Sequence, residues 1–198
     1  LTETLQNKCI AEIADQIKAR GNVKVVLIAG PSSSGKTTTS KKLSMQLEVL
    51  GYKPHVISLD NYYVGREKNP RDENGAYDYE CLEALDVAQL NDHLLRLFKG
   101  EEIQVPSYDF KEGKQYFTGK TLKLSERDIL IMEGIHGLND KLTHLIPDDT
   151  KFKIYLSALT QLNLDDHNRI PTSDNRLIRR IVRDSQFRAK SAADTINL

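Results

Sequence analysis

The sequence predicts an α/β fold: a parallel sheet wrapped by helices, with a small antiparallel excursion. Short β-branched apolar runs, Val25-Val26-Leu27-Ile28-Ala29 foremost, alternate with helical periodicity over residues 23–60 and again after residue 125. A turn rich in glycine and serine, residues 30–35, separates the first of these runs from a helix. The length, 198 residues of which 39% are apolar, suits one domain with a single sizeable core.

Each element has a local cause. Leu5, Cys9, Ile13 and Ile17 recur every fourth residue and Gly21 follows, which predicts a helix over residues 1–22. Val23–Ala29 is short and continuously apolar, as a strand buried on both faces must be, and it ends at Gly30. Good helix formers run from Lys36 to Leu50 until Gly51 stops them, and His55–Leu59 supplies a second strand ending at Asp60. Residues 64–80 are polar and rich in turn formers, a loop long enough to be functional or mobile. Asp86 and Gln89 form a capping-box pattern ahead of an apolar face of Val87, Leu90, Leu94 and Leu97, closed by Gly100. Ile103-Gln104-Val105 and Leu122-Lys123-Leu124 alternate around Gly113 and Gly119, giving the antiparallel excursion over about 102–124. Ile129–Met132 runs into Glu133-Gly134, and Phe152–Leu156 is the fourth main strand. The start at Leu1 and the stop at Asn197-Leu198, directly after a helical pattern, lead us to expect an excised piece whose residues 1–22 lead from an upstream domain.

Composition narrows the function. Lys plus Arg number 28 and so do Asp plus Glu, so the bulk positive charge of a general nucleic-acid or anionic-membrane binder is missing and any anion site must be local. No apolar run reaches the ~18 residues of a membrane span and no leader pattern opens the chain, so a soluble cytoplasmic protein is expected. Cys9 and Cys81 stand far apart, and the five histidines lack ligand spacing, which suggests neither a disulfide framework nor a zinc site. No internal repeat or low-complexity segment interrupts the chain.

The chemistry concentrates at few places. Residues 30–37, Gly-Pro-Ser-Ser-Ser-Gly-Lys-Thr, fit G-x-x-x-x-G-K-[ST] without a mismatch, between a strand and a helix. In this phosphate loop, or P-loop, backbone N–H groups across Gly30, Ser32, Ser33, Ser34, Gly35, Lys36, Thr37 and Thr38 can converge on phosphate oxygens. Lys36 would neutralise the β and γ phosphates of a bound nucleotide, and the Thr37 hydroxyl would ligate Mg²⁺; the loop alone does not separate kinases from GTPase switches or ATP-driven motors. Asp60 and Glu133 end parallel strands, so both carboxylates belong at the sheet edge where the loop sits, as Mg²⁺ ligands or, for Asp60, as base toward an alcohol. Arg176, Arg179, Arg180 and Arg183 stand at i, i+3, i+4 and i+7 on one helix face, and residues 169–190 hold seven basic and two acidic side chains. Such a stripe is costly without an anion, which suits a lid over phosphates; the alternative is a solvated face with Asp184 pairing Arg180 and Arg188. Tyr62, Tyr63, Tyr77, Tyr79, Tyr108, Phe110, Tyr116 and Phe117 crowd the loop and the excursion, either as a stacking pocket for a flat acceptor or, for about half, as a satellite core. Asp72-Glu73-Asn74-Gly75 matches the D-x-x-G of nucleotide-sensing switches, but it follows no strand and no N-K-x-D accompanies it.

With Ser58–Tyr63, Val105–Phe110, Glu133-Gly134-Ile135 and Arg176–Asp184 added to the P-loop, the chain resembles the uridine kinase branch of the uridine kinase and phosphoribulokinase superfamily from about Val23 to Lys190. The resemblance implies ATP-dependent phosphorylation of a nucleoside, uridine or cytidine foremost, at the ribose 5′-hydroxyl; a kinase for another small alcohol, such as a sugar phosphate, is the alternative. It implies Asp60 as base, Thr37, Asp60 and Glu133 around Mg²⁺, and Glu80, in the Tyr79-Glu80 pair, on the ribose with help from Arg180. It also implies Tyr63 and Tyr108 lining the acceptor pocket and Arg183 and Arg188 reaching ATP phosphates from a lid over about 169–190. Residues 23–198 would form the kinase domain without the family's last strand and helix, and a homo-oligomer is open. Gly113 stands where the family has a base-reading histidine and Lys190 where it has a base-reading arginine, and Asp165–Pro171 lengthens the start of the lid.

Overall fold

The computed structural model describes residues 1–158, 165–188 and 191–196. Helix α1 (Thr2–Arg20) leads to strand β1 (Val25–Ala29), helix α2 (Lys36–Val49) and strand β2 (Lys53–Ser58). Helix α3 (Val87–Phe98), the antiparallel strands β3 (Ile103–Asp109) and β4 (Lys114–Leu122), and strands β5 (Asp128–Glu133) and β6 (Lys151–Tyr155) follow. Helices α4 (Thr172–Phe187) and α5 (Ala192–Ile196) close the described chain. The main sheet is parallel in the order β2-β5-β1-β6, and β3 and β4 form a separate two-stranded arm.

The alternation of side chains along β1 divides the interior in two. Val25 and Leu27 face a core shared with α3, the arm and the Leu59–Tyr62 turn, whereas Val26 and Ile28 face α1 and α2 through Ile17, Leu43 and Leu47. All five residues of β1 and all six of β5 are buried, as expected of strands covered on both faces. This fixes the carboxyl ends of β1, β5 and β2 at one edge, where the P-loop leaves β1.

Several elements depart from the sequence expectation. Helix α1 buries Ile10, Ala14 and Ile17, while Leu5 is 62% exposed and Cys9 is exposed. A four-residue repeat advances about 40° per step beyond a full turn, so the Leu5–Ile17 stripe winds off the buried face. Strand β2 stops at Ser58, and Asp60 sits on a 3₁₀ turn, Leu59–Tyr62, rather than at the strand end. The capping box at α3 is half formed: the Asp86 carboxylate accepts from Gln89 N at 2.8 Å, but the Gln89 amide pairs with Gln115 of the arm. In the arm, Gly113 (φ 67°) makes the turn, and Gly119 (φ 81°) sits where the register slips between Gln104 and Pro106. The loop over residues 64–80 is held by contacts of its own and by Arg66, which reaches the arm. Arg71 stacks on Tyr77 at 4.2 Å, and the Asp72 carboxylate accepts from Asn74 N and Ala76 N, so the D-x-x-G match is a self-capped turn.

Candidate active site

The P-loop owes its shape to three residues. Ser33 (φ 60°) and Gly35 (φ 95°) turn the backbone into the left-handed region, which the missing Cβ of Gly35 makes inexpensive. Gly30 lies so close to the backbone after β6 that a Cβ there would stand 2.7 Å from Leu156 O. The Ser33 and Ser34 hydroxyls are buried without a hydrogen-bond partner, so the loop offers polar groups that the protein leaves unused. Lys36 Nζ donates to Gly30 O and Pro31 O at 2.9 and 3.1 Å, which holds the ammonium over the loop. Thr37 Oγ1 donates to Glu133 Oε1 at 2.9 Å, joining the first turn of α2 to the end of β5. Thr38, one residue on, is exposed.

Burial governs the electrostatics here. Desolvation lowers the Lys36 pKa, aided by Arg183 and Arg188 and opposed by Glu133 and Asp60. Desolvation raises that of Glu133, with Asp60 acting in the same direction and the Thr37 hydrogen bond against it. Five charged groups from four segments therefore sense one another across this edge. Asp184, behind Arg183 and Arg188, adds a third carboxylate to these three cations, so the charges of the edge are matched within the protein.

Helix α4 and the residue after it reach the P-loop and the Asp60 turn. Arg176 Nε donates to Ser32 O of the P-loop at 3.4 Å. Arg188, just past the helix, pairs with Asp60 at 3.3 Å and stacks on the Phe110 ring of the arm at 4.4 Å. Asp184, only 1% exposed, sits among three arginines: Arg183 at 2.6 Å, and Arg180 and Arg188 at 3.8 Å each. The pairing of Asp184 with Arg180 and Arg188 is thus present, but as a buried hub rather than a solvated face. Arg180 also lies 3.8 Å from Glu80, so these two expected acceptor-site residues are neighbours. Lys190 and part of the expected lid lie outside the described residues.

Tyr63 and Tyr108 are packed inward against neighbouring rings. They are 6% and 8% exposed, and their rings pack against each other at 5.6 Å with Phe110 and Tyr79 around them. Tyr63 Oη donates to Tyr79 O at 3.1 Å. Burial raises the Tyr63 pKa and pushes that of Tyr108 up to about 12, so both phenols stay protonated at neutral pH. The satellite core accounts for these two rings, because a cluster under a long loop buries apolar area that the main sheet cannot reach.

A further residue escaped the sequence reading. The Arg66 guanidinium donates to Lys111 O at 3.0 Å and Phe110 O at 3.4 Å, on the turn of the arm. Nothing in the composition around Gly65-Arg66-Glu67 distinguishes it from a surface arginine.

The donor set suits Mg²⁺: a hydroxyl and two carboxylates, Thr37, Glu133 and Asp60, are hard oxygens. Among the described residues no group of three or more His, Cys, Asp or Glu side chains is poised to hold a metal, so an ion here would share its shell with nucleotide oxygens or water. Among the same residues no helix is long and apolar enough to cross a membrane.

Comparison with known proteins agrees with this fold. Uridine kinases of Staphylococcus haemolyticus and Staphylococcus aureus (strain JH9) are each 29% identical to the chain, over 176 and 173 residues. These matches cover 89% and 87% of this chain and 75% and 74% of theirs. A solved structure named for a fructose transport system kinase from Silicibacter sp. TM1040 has a TM-score of 0.65 at 16% identity, covering 95% of this chain and 86% of that one. Another, named for a possible uridine kinase from Bacillus stearothermophilus, has a TM-score of 0.53 at 24% identity, covering 87% and 84%. Both share the fold of a parallel sheet flanked by helices. The model of the phosphoribulokinase and uridine kinase family matches residues 25–197, beginning at the first buried strand. The chain belongs to that family and is a phosphotransferase of the P-loop kind.

Proposed function

We propose that the protein transfers the γ-phosphoryl of ATP to the 5′-hydroxyl of a nucleoside, uridine or cytidine foremost. The observation that carries this reading is the position of Asp60, which lies 3.3 Å from the lid's Arg188 and within electrostatic reach of the P-loop's Lys36. A carboxylate so placed can take the proton of an alcohol while Lys36, Arg183 and Arg188 balance charge on the phosphates. Thr37, Glu133 and Asp60 would hold Mg²⁺, which when bound neutralises the β and γ oxygens. The Ser33 and Ser34 hydroxyls and the loop N–H groups would orient the phosphates. Glu80 and Arg180 would hold the ribose hydroxyls, so an intact ribose should matter more than the identity of the base. Residues 23–198 would act as the kinase domain, with β3–β4 as substrate arm and α4 as lid.

The burial of Tyr63 and Tyr108 supports a second reading, because rings packed against one another leave little aromatic face for a base, which a small aliphatic alcohol such as a sugar phosphate does not need. One experiment separates the two: ADP formation and product identification from Mg-ATP across ribonucleosides, 2′-deoxyribonucleosides and sugar phosphates. Turnover of ribonucleosides above both other groups is expected. Preference for a sugar phosphate would replace the nucleoside assignment, and equal turnover of the deoxy compounds would remove Glu80 and Arg180 from the ribose.

A further inference from the structure

The turn of the arm is tied to the loop that follows the Asp60 turn through Arg66. Arg66 N donates to Gly113 O at 2.8 Å, and the Arg66 guanidinium donates to Lys111 O at 3.0 Å and Phe110 O at 3.4 Å. Gly113 is the cradle for this contact: its φ is 67°, and a Cβ there would stand 2.6 Å from Arg66 Nε and 2.9 Å from Cζ. A side chain at 113 and the Arg66 guanidinium therefore exclude each other, and the glycine is explained by what lies against it.

What the clamp fixes is Phe110. Its carbonyl is held by Arg66, and its ring carries the guanidinium of Arg188 at 4.4 Å. Arg188 in turn pairs with Asp60 at 3.3 Å, and its backbone N–H donates to Asp184 O at 3.0 Å, in the last turn of α4. A continuous set of contacts thus runs from the loop, through the arm, to the lid end and the carboxylate. Of these, only the stacking of Arg188 on Phe110 joins arm to lid, and a cation–π contact depends on where the ring face lies.

We propose that Arg66 is a positioning residue: seated against Gly113, it locks the turn of the arm so that Phe110 presents its ring to Arg188, coupling the acceptor side of the site to the lid. The role rests on the kinase reading above for its consequence in catalysis, but the coupling itself does not. Loss of the clamp leaves the P-loop, its lysine and the Thr37–Glu133 contact untouched, so ground-state nucleotide binding should hold while acceptor binding suffers, and the loosened Arg188, which balances charge on the phosphates during transfer, should show in kcat rather than in the ATP KM.

The test uses the whole chain and two readouts. In Arg66→Ala, amide hydrogen exchange should rise about tenfold both in the arm turn (109–114) and in the last turn of α4 (184–188), and stay unchanged in α2, as expected for losing charge-assisted bonds in one local unit. In steady-state kinetics the acceptor KM should rise about tenfold with the ATP KM within about twofold, and Arg66→Lys, which keeps the charge but not the fork, should rescue only part of this. Phe110→Leu keeps an apolar side chain without a ring face and should loosen residues 184–188 alone. Unchanged exchange at 184–188 in Arg66→Ala, or equal shifts in both KM values, overturns the proposal. If Arg66→Ala fails to fold, Phe110→Leu decides, and unchanged exchange at 184–188 overturns it. Absence of product from the wild type with every alcohol would instead refute the kinase assignment, while the exchange data still decide the role of Arg66.

Discussion

Replacing Lys36 by alanine tests the phosphate site most directly, and the structure sets the size of the effect. The ammonium lies over the P-loop carbonyls of Gly30 and Pro31, partly buried, with Glu133 and Asp60 within reach. At about 4 Å from a phosphate oxygen, a unit charge contributes about 4 kcal/mol at an effective dielectric of ~20, but only about 1 kcal/mol in bulk water. Because the ammonium is half-buried against the loop carbonyls, the first environment applies. A loss of about 4 kcal/mol in the transition state corresponds to a fall in kcat of about 10³-fold, against about fivefold for a solvent-facing lysine. Folding should change little. The two carbonyl hydrogen bonds, about 1 kcal/mol each, are offset by relief from burying an ammonium near Arg183 and Arg188. Coupled measurement of ADP formation gives kcat, and thermal unfolding followed by circular dichroism checks the fold. A variant folded like the wild type whose kcat falls less than about tenfold would refute the placement of Lys36 on the transferring phosphoryl.

Two other substitutions probe the carboxylates. Asp60→Asn should keep nucleotide binding measurable while the single-turnover rate drops by at least ~10²-fold, and an unchanged rate in rapid-quench experiments would leave Asp60 a metal or structural ligand. Glu133→Gln should separate function from stability. Burial raises the Glu133 pKa, so folding favours the protonated acid; that contribution is fully present below the ordinary glutamate value and is lost as pH rises through the raised one. The neutral Gln variant should match the wild type in denaturant titrations at about pH 4 and exceed it at about pH 8, while Mg²⁺-dependent turnover collapses. Lower stability of the variant at the higher pH would show that the Thr37–Glu133 contact outweighs the burial cost.

The sequence by itself determined the scaffold and the chemistry at its edge. The continuous apolar runs of β1 and β5 could be satisfied only by burial on both faces, and a parallel sheet with helices on each side supplies it. The P-loop was equally legible, because its backbone path needs glycine at residue 35 and its chemistry needs a lysine followed by a hydroxyl. Tertiary structure decided what periodicity and spacing do not encode. The face of α1 that is buried, Ile10, Ala14 and Ile17, depends on how the helix crosses α2 and the sheet. Whether an aromatic ring of the arm faces a substrate or its neighbours depends on contacts between segments far apart in the chain, and these packed Tyr63 and Tyr108 inward. The family resemblance implies a phosphate ligand at Arg188, and its contacts with Asp60 and Phe110 span 128 and 78 residues. Arg66 carries no local mark at all; its role exists only because Gly113, 47 residues further on, leaves room for it. A long-range contact is set by the free energy of the whole packing, in which each local segment has several acceptable conformations, so a single segment can name its chemistry without naming its partner.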